Sequence, residues 1–561
     1  MKIAILGGGP SALFMFKRLV ESNQPDLEIT IFEKKNRLGV GMPYGVDGAG
    51  REHITNVSDN EVPDFVTSIE EWSKTAPKAI LDQFKIDPEN FNQYRVLPRL
   101  FFGEYLSGQF DMLLEMAADK NIVTHVKYNC SIADVNFLAE NQVEVTGEAG
   151  EVYVFDKVII ATGHSWPRKQ ELKTPNYFDS PYPPAKLALK LNHAVAIRGA
   201  SLTAIDAVRT LSRVNGIFYY EDDKLNYRLN EGSENFRMVL NSIHGFLPAV
   251  RFHLEDSHLK NDSLLSIQEI KAHRSENNGF VSLDFIFEYD FKAPFKEKNP
   301  SFYEWIKDMT LEDFVDEMMN LREKIEPFLL LSVEYGEAER SIKNQESVYW
   351  KEMLAILSFS MNYPAKYFSA EDMTRLKKKL MPLISLVIAF VPQSSCEELM
   401  ALHNAGLLEI VAVGDDSKVK PVEEGGIIYQ YKDEEGNELS KRYPTFVDAI
   451  GQPHLEFEDF PFKSLRDKGN ISPAYVKFKD AEKAKAELGE GNDKVIERNG
   501  TYYLSVPGIA IDDNFKIIDA DGKPNSSIYI MAVPYIGGFN PDYSGIDFSE
   551  EASKRIANSL F

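Results

Sequence analysis

The residues that most restrict the fold are Gly7-Gly8-Gly9-Pro10-Ser11-Ala12, which lie between two incompatible patterns. Before them, Lys2-Ile-Ala-Ile-Leu6 has the length and composition of a strand buried on both faces of a parallel sheet. After them, Ala12 to Val20 repeats its apolar residues at helical period. A second strand, Glu28-Ile-Thr-Ile-Phe-Glu33, ends on an acid roughly 20 residues beyond the glycines. This is a βαβ unit whose turn reads G-x-G-x-x-A. Gly7 permits the tight turn, Gly9 lets the backbone approach a pyrophosphate, and Ala12 lets helix and strand pack closely. Pro10 and Ser11 open the helix, whose N-terminus faces the phosphate charge, and Glu33 is placed to accept hydrogen bonds from a ribose. The sequence therefore predicts a Rossmann-like α/β domain with a dinucleotide at Gly7, Gly9, Pro10, Ser11, Ala12 and Glu33.

A second unit of the same kind follows. His193-Ala-Val-Ala-Ile-Arg198 reads as a strand, Gly199-Ala-Ser-Leu-Thr-Ala204 as the turn and Ile205 to Leu211 as a helix, with serine in place of the middle glycine. Gly199, Ser201 and Thr203 are the candidate phosphate contacts there. The next strand of this unit, Arg237 to Ile243, leads into His244-Gly-Phe-Leu-Pro248, where the adenosine ribose would lie; His244 and Arg251 there suit contact with a 2′-phosphate and an ordinary polar loop equally well. Ahead of this unit, the strand Val158-Ile-Ile-Ala161 closes on Thr162-Gly163-His164. Small residues there let the backbone pass close to a cofactor, and Ser180-Pro-Tyr-Pro-Pro184 then reads as an interdomain linker. Two phosphate-binding turns, one opening the chain and one after an Ala-Thr-Gly exit, suggest FAD at the first and NAD(P)H at the second. On that reading Gly41 and Tyr44 of the loop Gly39–Gly45, Asn56, Thr162 and Gly163 run beside the flavin, with Arg99 near it.

Residues 60–120 are expected to be helical and 122–160, which alternate at period two, to form a β-meander. Apolar spacing is helical over Phe302–Leu331, Tyr349–Met361 and Met373–Phe390. From Leu407 strands return, and Phe446-Val-Asp-Ala-Ile450 closes on Gly451-Gln452-Pro453 as a counterpart of the first exit. The strand Ser527–Ala532 leads to Gly537-Gly538 and Ser544-Gly545-Ile546, and a final helix begins there. Gly538, Gly545 and Ile546 are expected at the flavin, with the helix N-terminus turned to its pyrimidine ring. The expected organisation is a discontinuous FAD domain over 1–185 and 435–561, a second nucleotide-binding domain over 190–255 and 405–434, and a helical insertion over 256–404. The insertion is expected to close over the flavin and shape a substrate pocket.

The net charge of −24 disfavours a nucleic-acid partner, whose phosphates most of the surface would repel. Two cysteines, Cys130 and Cys396, cannot build a disulfide framework or a cysteine metal site, and they lack the C-x-x-C spacing of a redox dithiol. The ten histidines show no H-E-x-x-H spacing, so no metal is expected. The most apolar stretch, Leu380–Val391, is about half a bilayer span and contains Pro382, which predicts a buried helix. With the first strand beginning at Lys2 and no signal-peptide pattern, the expectation is a cytoplasmic protein of unspecified oligomeric state.

The chain resembles the bacterial FAD/NAD(P)-binding flavoprotein family, related to flavin-dependent N-hydroxylating and urate-hydroxylating monooxygenases. The resemblance is carried by Gly7–Ala12, Gly41-Met-Pro-Tyr44, Thr55-Asn-Val57, Leu97–Leu106, Ile160–His164, Gly199–Asp206, Gly245-Phe-Leu-Pro248 and Leu402–Leu407. It departs from the family where Ser242-Ile-His244 replaces an arginine-rich stretch, which leaves NADPH and NADH both open. The resemblance implies an NAD(P)H-dependent monooxygenase that hydroxylates a small molecule, such as an amine, through a flavin C4a-hydroperoxide formed with molecular oxygen. A flavin dehydrogenase or reductase without oxygen insertion, and a non-enzymatic nucleotide sensor, remain as alternatives. No catalytic side chain is singled out.

Overall fold

The computed structural model describes residues 1–63, 65–163, 168–254, 264–433, 435–452, 454–542 and 545–561. His164, Pro453 and Ser544, named above, lie outside them. Two parallel sheets organise the chain. In the first, the strands run in the order Lys516–Ile518, Pro524–Ile530, Lys157–Ile160, Lys2–Leu6, Glu28–Phe32 and Val123–Lys127. All neighbours are parallel except the antiparallel edge strand Lys516–Ile518. Lys2–Leu6 sits at the centre, Ile5 opposite Ile31 on one side and Ile159 on the other. Its residues Ile3 to Leu6 have no exposed surface, which explains the continuous apolar run. Residues 524–530 add a strand to this sheet beside Lys157–Ile160, so strands from both ends of the chain lie in it.

The second sheet orders Tyr177–Phe178, Thr445–Asp448, Ala194–Arg198, Arg237–Ser242 and Leu408–Ala412, all parallel. The expected boundaries at 185 and 435 do not follow this pairing. Tyr177 and Phe178 already bond to the second sheet, and the chain leaves that sheet only after Asp448. The helix Gln393–Asn404 shifts the insertion boundary too, because its Cys396, Leu399 and Leu402 pack into the second sheet's core. Of the predicted meander, Val123–Lys127 instead joins the first sheet, and only Ile132–Ala139, Gln142–Gly147 and Val152–Phe155 pair antiparallel. A further antiparallel sheet, Pro473–Lys477, Thr501–Ile509 and Val495–Arg498, is added before the last sheet strands.

Helices from Ile267 onward fill the insertion, and their apolar faces merge with the first core through Phe291, Phe314, Leu357 and Leu376. The stretch Leu380–Val391 contains the helix Met381–Ile388, with Leu380, Leu383, Ile384 and Val387 fully enclosed and Pro382 and Ser385 exposed. No helix among the described residues is long and apolar enough to cross a membrane.

Candidate functional site

Gly7 has a φ of +108°, and a Cβ there would lie 2.5 Å from the Ala161 carbonyl oxygen. Only glycine fits this position, where the first turn passes the neighbouring strand's exit. Gly9 caps the helix Pro10–Glu21 in extended conformation, with proline in its first turn. A Cβ on Gly9 would sit 3.3 Å from the Gly41 Cα, so the loop carrying Gly41 crosses the helix N-terminus. The Gly39 amide donates to the Gly8 carbonyl at 2.7 Å and fixes that crossing. Glu33, 7% exposed, accepts from the Gly8 amide and the Lys35 amide, each at 2.8 Å. The acid thus braces the turn itself, and each carboxylate oxygen keeps acceptor capacity for a ribose hydroxyl.

At the exit, Ala161 bonds back to Leu6 at 2.9 Å, while the Thr162 hydroxyl is buried without a partner. Beside it Gly163 is exposed, and a Cβ there would meet nothing within 4 Å. A buried hydroxyl left unbonded next to the first glycine turn, at a backbone opening, fits a dinucleotide laid along these residues. The last helix, Gly545–Leu560, begins at the same place. Ser11 and Ser549 bond through their hydroxyls at 3.0 Å, and Ser549 donates to the Gly545 carbonyl at 2.6 Å. Two helix N-termini therefore converge, each carrying the partial positive charge of its unpaired amides. Gly545 faces open space and Ile546 packs on the first core.

Gly538 has a different surrounding. Its amide donates to the Pro507 carbonyl at 2.9 Å, and a Cβ would be 2.5 Å from Pro507 O and from a Val506 methyl. The strand Thr501–Ile509 takes up this close approach. On Gly537, in turn, the His454 ring rests so closely that no side chain could replace the hydrogen. Burial, then the nearby Lys377 charge, pushes the His454 imidazole down to about 4. Lys377 is itself pushed down to about 8 by burial and by Lys494. Nothing in the local sequence flags either residue. Tyr44 packs edge-on against Phe102 with centroids 4.8 Å apart, and burial raises its phenol. The Asn56 side chain is exposed, and its carbonyl oxygen accepts from Arg251.

Arg99 corrects an expectation. Instead of being presented to a flavin, its guanidinium forks onto Asp206, at 2.5 and 3.2 Å, while Nε donates to the Ile54 carbonyl at 3.0 Å. Asp206 lies on the helix Leu202–Asn215 of the second domain, is 4% exposed, and also accepts from the Tyr182 hydroxyl at 2.6 Å. Burial opposes the Asp206 charge, but Arg99 and then His53 outweigh it and hold the carboxyl below its usual range. His53 joins the same contact through the Asp206 carbonyl and the Thr210 hydroxyl, both at 3.2 Å. Burial lowers the His53 imidazole. Arg251 is likewise turned inward: 3% exposed, it donates to Asn56 O, Ser58 Oγ and Glu61, so it is not presented to a 2′-phosphate. His244 remains exposed, stacked on Phe246.

The second turn repeats the first in detail. Gly199 has a φ of +106°, and its Cβ would lie 2.7 Å from the Ala449 carbonyl oxygen. Its amide donates to Asn241 at 2.7 Å as Gly7 does to Phe32 at 2.8 Å. Ser201 adopts φ −86° and ψ −170°, against −83° and −166° at Gly9. The serine is tolerated because this is extended backbone, open to any residue. Ser201 is exposed and makes no cap bond, and Thr203 Oγ1 would be 3.8 Å from a Cβ on Gly451. The strand Arg237–Ser242 has no acid at its end, where Ser242 accepts from the Gly245 amide at 2.9 Å. No cluster of three or more potential metal ligands occurs among the described residues.

Residues 4–165 match the FAD-NAD(P)-binding family model, and residues 266–388 match the YdhS-like middle domain. The chain thus carries an FAD/NAD(P)-binding domain, and the residues of its first turn fit the group. Over 475 residues it is 27% identical to the uncharacterized protein YdhS of Escherichia coli K12, covering 83% of this chain and 86% of the relative. Among solved structures, L-lysine 6-monooxygenase from Pseudomonas syringae aligns over 100% of this chain and 98% of its own, at 12% identity and a TM-score of 0.48. The FAD-bound cadaverine monooxygenase of Erwinia amylovora aligns over 100% and 94%, at 11% identity and 0.44. Similarity at this level speaks to neither substrate nor reaction.

Proposed function

We propose that this protein is an NAD(P)H-dependent FAD oxidoreductase acting as a monooxygenase on a small molecule. The observation that carries the reading is the duplicated turn: Gly7 and Gly199 adopt the same conformation, each donates its amide to the next strand of its own sheet, and each abuts a neighbouring strand's exit at the carboxyl edge. Two such crevices in one chain are what a hydride donor and a hydride acceptor need. When bound, FAD supplies the two-electron chemistry and the reaction with oxygen. On this reading the chain's own residues bind and orient. Gly7, Gly9 and the start of the helix Pro10–Glu21 take the pyrophosphate, and Thr162 gives its unbonded hydroxyl to the cofactor. Glu33 holds the turn and the ribose, and the N-terminus of Gly545–Leu560 steadies negative charge on the ring. Gly199, Ser201 and Thr203 receive the nicotinamide nucleotide. The helical insertion, continuous with the first core, excludes water from the chemistry.

The test is to purify the full chain, identify its bound flavin, and follow NADPH and NADH oxidation with and without oxygen. Oxygen-dependent oxidation that yields little peroxide once a suitable amine is added supports the monooxygenase. Flavin reduction passed to another acceptor without oxygen replaces it with a dehydrogenase, and a protein that binds neither nucleotide removes both.

A further inference from the structure

Two helices, one beside each glycine turn, meet on a single carboxylate. The helix Leu202–Asn215 starts at Ser201 of the second turn. Asp206 stands just over one helical turn on, roughly 7.5 Å along the axis. The helix Arg99–Asp119 runs beside the first turn. Its Gly103 passes so close to the Tyr44 carbonyl that no side chain could replace its hydrogen, and its Leu106 carbonyl oxygen would lie 2.6 Å from a Cβ on Gly39. Gly39 is the residue whose amide bonds to Gly8. Arg99 opens that helix and forks onto Asp206 at 2.5 and 3.2 Å. Its amide donates to the His53 carbonyl and its Nε to the Ile54 carbonyl, both at 3.0 Å. His53, 1% exposed, takes the Gly50 amide on Nδ1 at 2.9 Å and turns Nε2 to the Asp206 carbonyl at 3.2 Å. With Nδ1 accepting, the neutral ring carries its proton on Nε2 and donates across the interface. One turn further along the second helix, the Thr210 hydroxyl donates to Glu52 at 2.5 Å. Tyr182, between the strands Tyr177–Phe178 and Ala194–Arg198, donates to Asp206 at 2.6 Å. Groups from both domains therefore converge on Asp206, which is 4% exposed.

We propose that Asp206 is a positioning residue for hydride transfer: through Arg99, Tyr182 and His53 it holds the second glycine turn at a fixed distance from the first, so that nicotinamide and flavin meet in register. The inference rests on the two-site reading given under Proposed function. The hydride carries both electrons from the nicotinamide, which is oxidised, to the flavin, which is reduced. Transfer falls off steeply when the reacting atoms are misplaced, about a hundredfold for 1 Å. Close-packed interiors transmit strain, so a shift at Asp206 reaches the second turn through the short stretch of helix between them. A residue acting in this way changes the rate within the bound complex and leaves the affinities for both cofactors alone.

The experiment uses the full chain with its flavin and measures anaerobic flavin reduction over a range of NADPH and NADH concentrations in wild type, Asp206→Asn and Tyr182→Phe. Asp206→Asn is expected to slow reduction at saturating nucleotide by about tenfold or more. The apparent nucleotide Kd, the flavin content and reduction by dithionite are expected to stay unchanged. Tyr182→Phe keeps the Arg99 pair and removes one hydrogen bond, so a drop of about threefold is expected. It carries the test should Asp206→Asn fail to fold. Hydrogen exchange supplies a readout independent of turnover: the amides of Gly50–Ile54 are expected to exchange faster in Asp206→Asn, and those of Lys2–Leu6 at the wild-type rate. Wild-type reduction rates in both variants, a loss confined to Kd, or unchanged exchange over Gly50–Ile54 overturns the proposal. A wild-type flavin that neither nucleotide reduces overturns the two-site reading itself, and the inference with it.

Discussion

Asp206→Ala removes the carboxylate on which Arg99 and Tyr182 converge. Asp206 is buried, carries a forked ion pair to Arg99 at 2.5 and 3.2 Å, and accepts from the Tyr182 hydroxyl at 2.6 Å. Its removal strands the Arg99 guanidinium, whose side chain is only 17% exposed, without a counter-charge. Breaking a buried pair from one side costs about 3–5 kcal/mol. The unmatched Tyr182 hydroxyl belongs inside that range rather than on top of it, because both losses share one desolvated site. The assay is urea denaturation of wild type, Asp206→Ala, Arg99→Met and the double variant. The double variant is expected to cost less than the sum of the singles by about 2 kcal/mol or more, because it leaves no orphaned charge. A single-variant cost below about 1 kcal/mol, or a coupling near zero, would refute the assignment of Arg99 to an interdomain pair. Arg99→Lys supplies a second reading: loss of stability with an unchanged flavin spectrum is expected, whereas a shifted spectrum would return Arg99 to the cofactor.

Other outcomes follow from single contacts. Gly7→Ala places a Cβ 2.5 Å from the Ala161 oxygen at a φ of +108°, so the purified variant should lose its flavin absorbance. Asp290, 1% exposed, is pushed up to about 6 by burial, so the charged form weakens the fold progressively from about pH 4 to 6 and constantly above. Asp290→Asn should flatten that slope and stabilise the protein at pH 7 by on the order of 1–2 kcal/mol, read from melting across pH. His454, pushed down to about 4, resists protonation in the folded state, so stability falls as pH drops from about 6.5 towards 4. His454→Gln should lower that acid sensitivity by on the order of 1–3 kcal/mol, and an unchanged acid limb would contradict the burial of this ring on Gly537.

The glycine turns were legible because their constraint is local: a positive φ and a close strand exit leave few residues to choose from. The same holds for the central strand Lys2–Leu6, whose apolar run reflects burial on both faces. Domain boundaries were less legible, because a parallel sheet takes strands distant in sequence. Thr445–Asp448 inserts between Tyr177–Phe178 and Ala194–Arg198, and nothing in its own residues says so. Arg99 was expected near the flavin, and only the fold brings Asp206, 107 residues on, against it. Arg251 was misplaced for the same reason, since Ser58 and Glu61 meet it only after the domains dock. His454 and Lys377 carry no local motif, and their shifted titrations arise from burial between segments joined late in the chain.

The most direct measurement of the central claim is anaerobic reduction of the bound flavin by NAD(P)H in wild type and in Gly199→Val. A Cβ at Gly199 would lie 2.7 Å from the Ala449 oxygen and disturb the second turn while leaving Gly7 untouched. The two-site account predicts a yellow variant with wild-type flavin content whose flavin is no longer reduced by NADPH or NADH but is still reduced by dithionite. Reduction of the variant by NAD(P)H at the wild-type rate would contradict it.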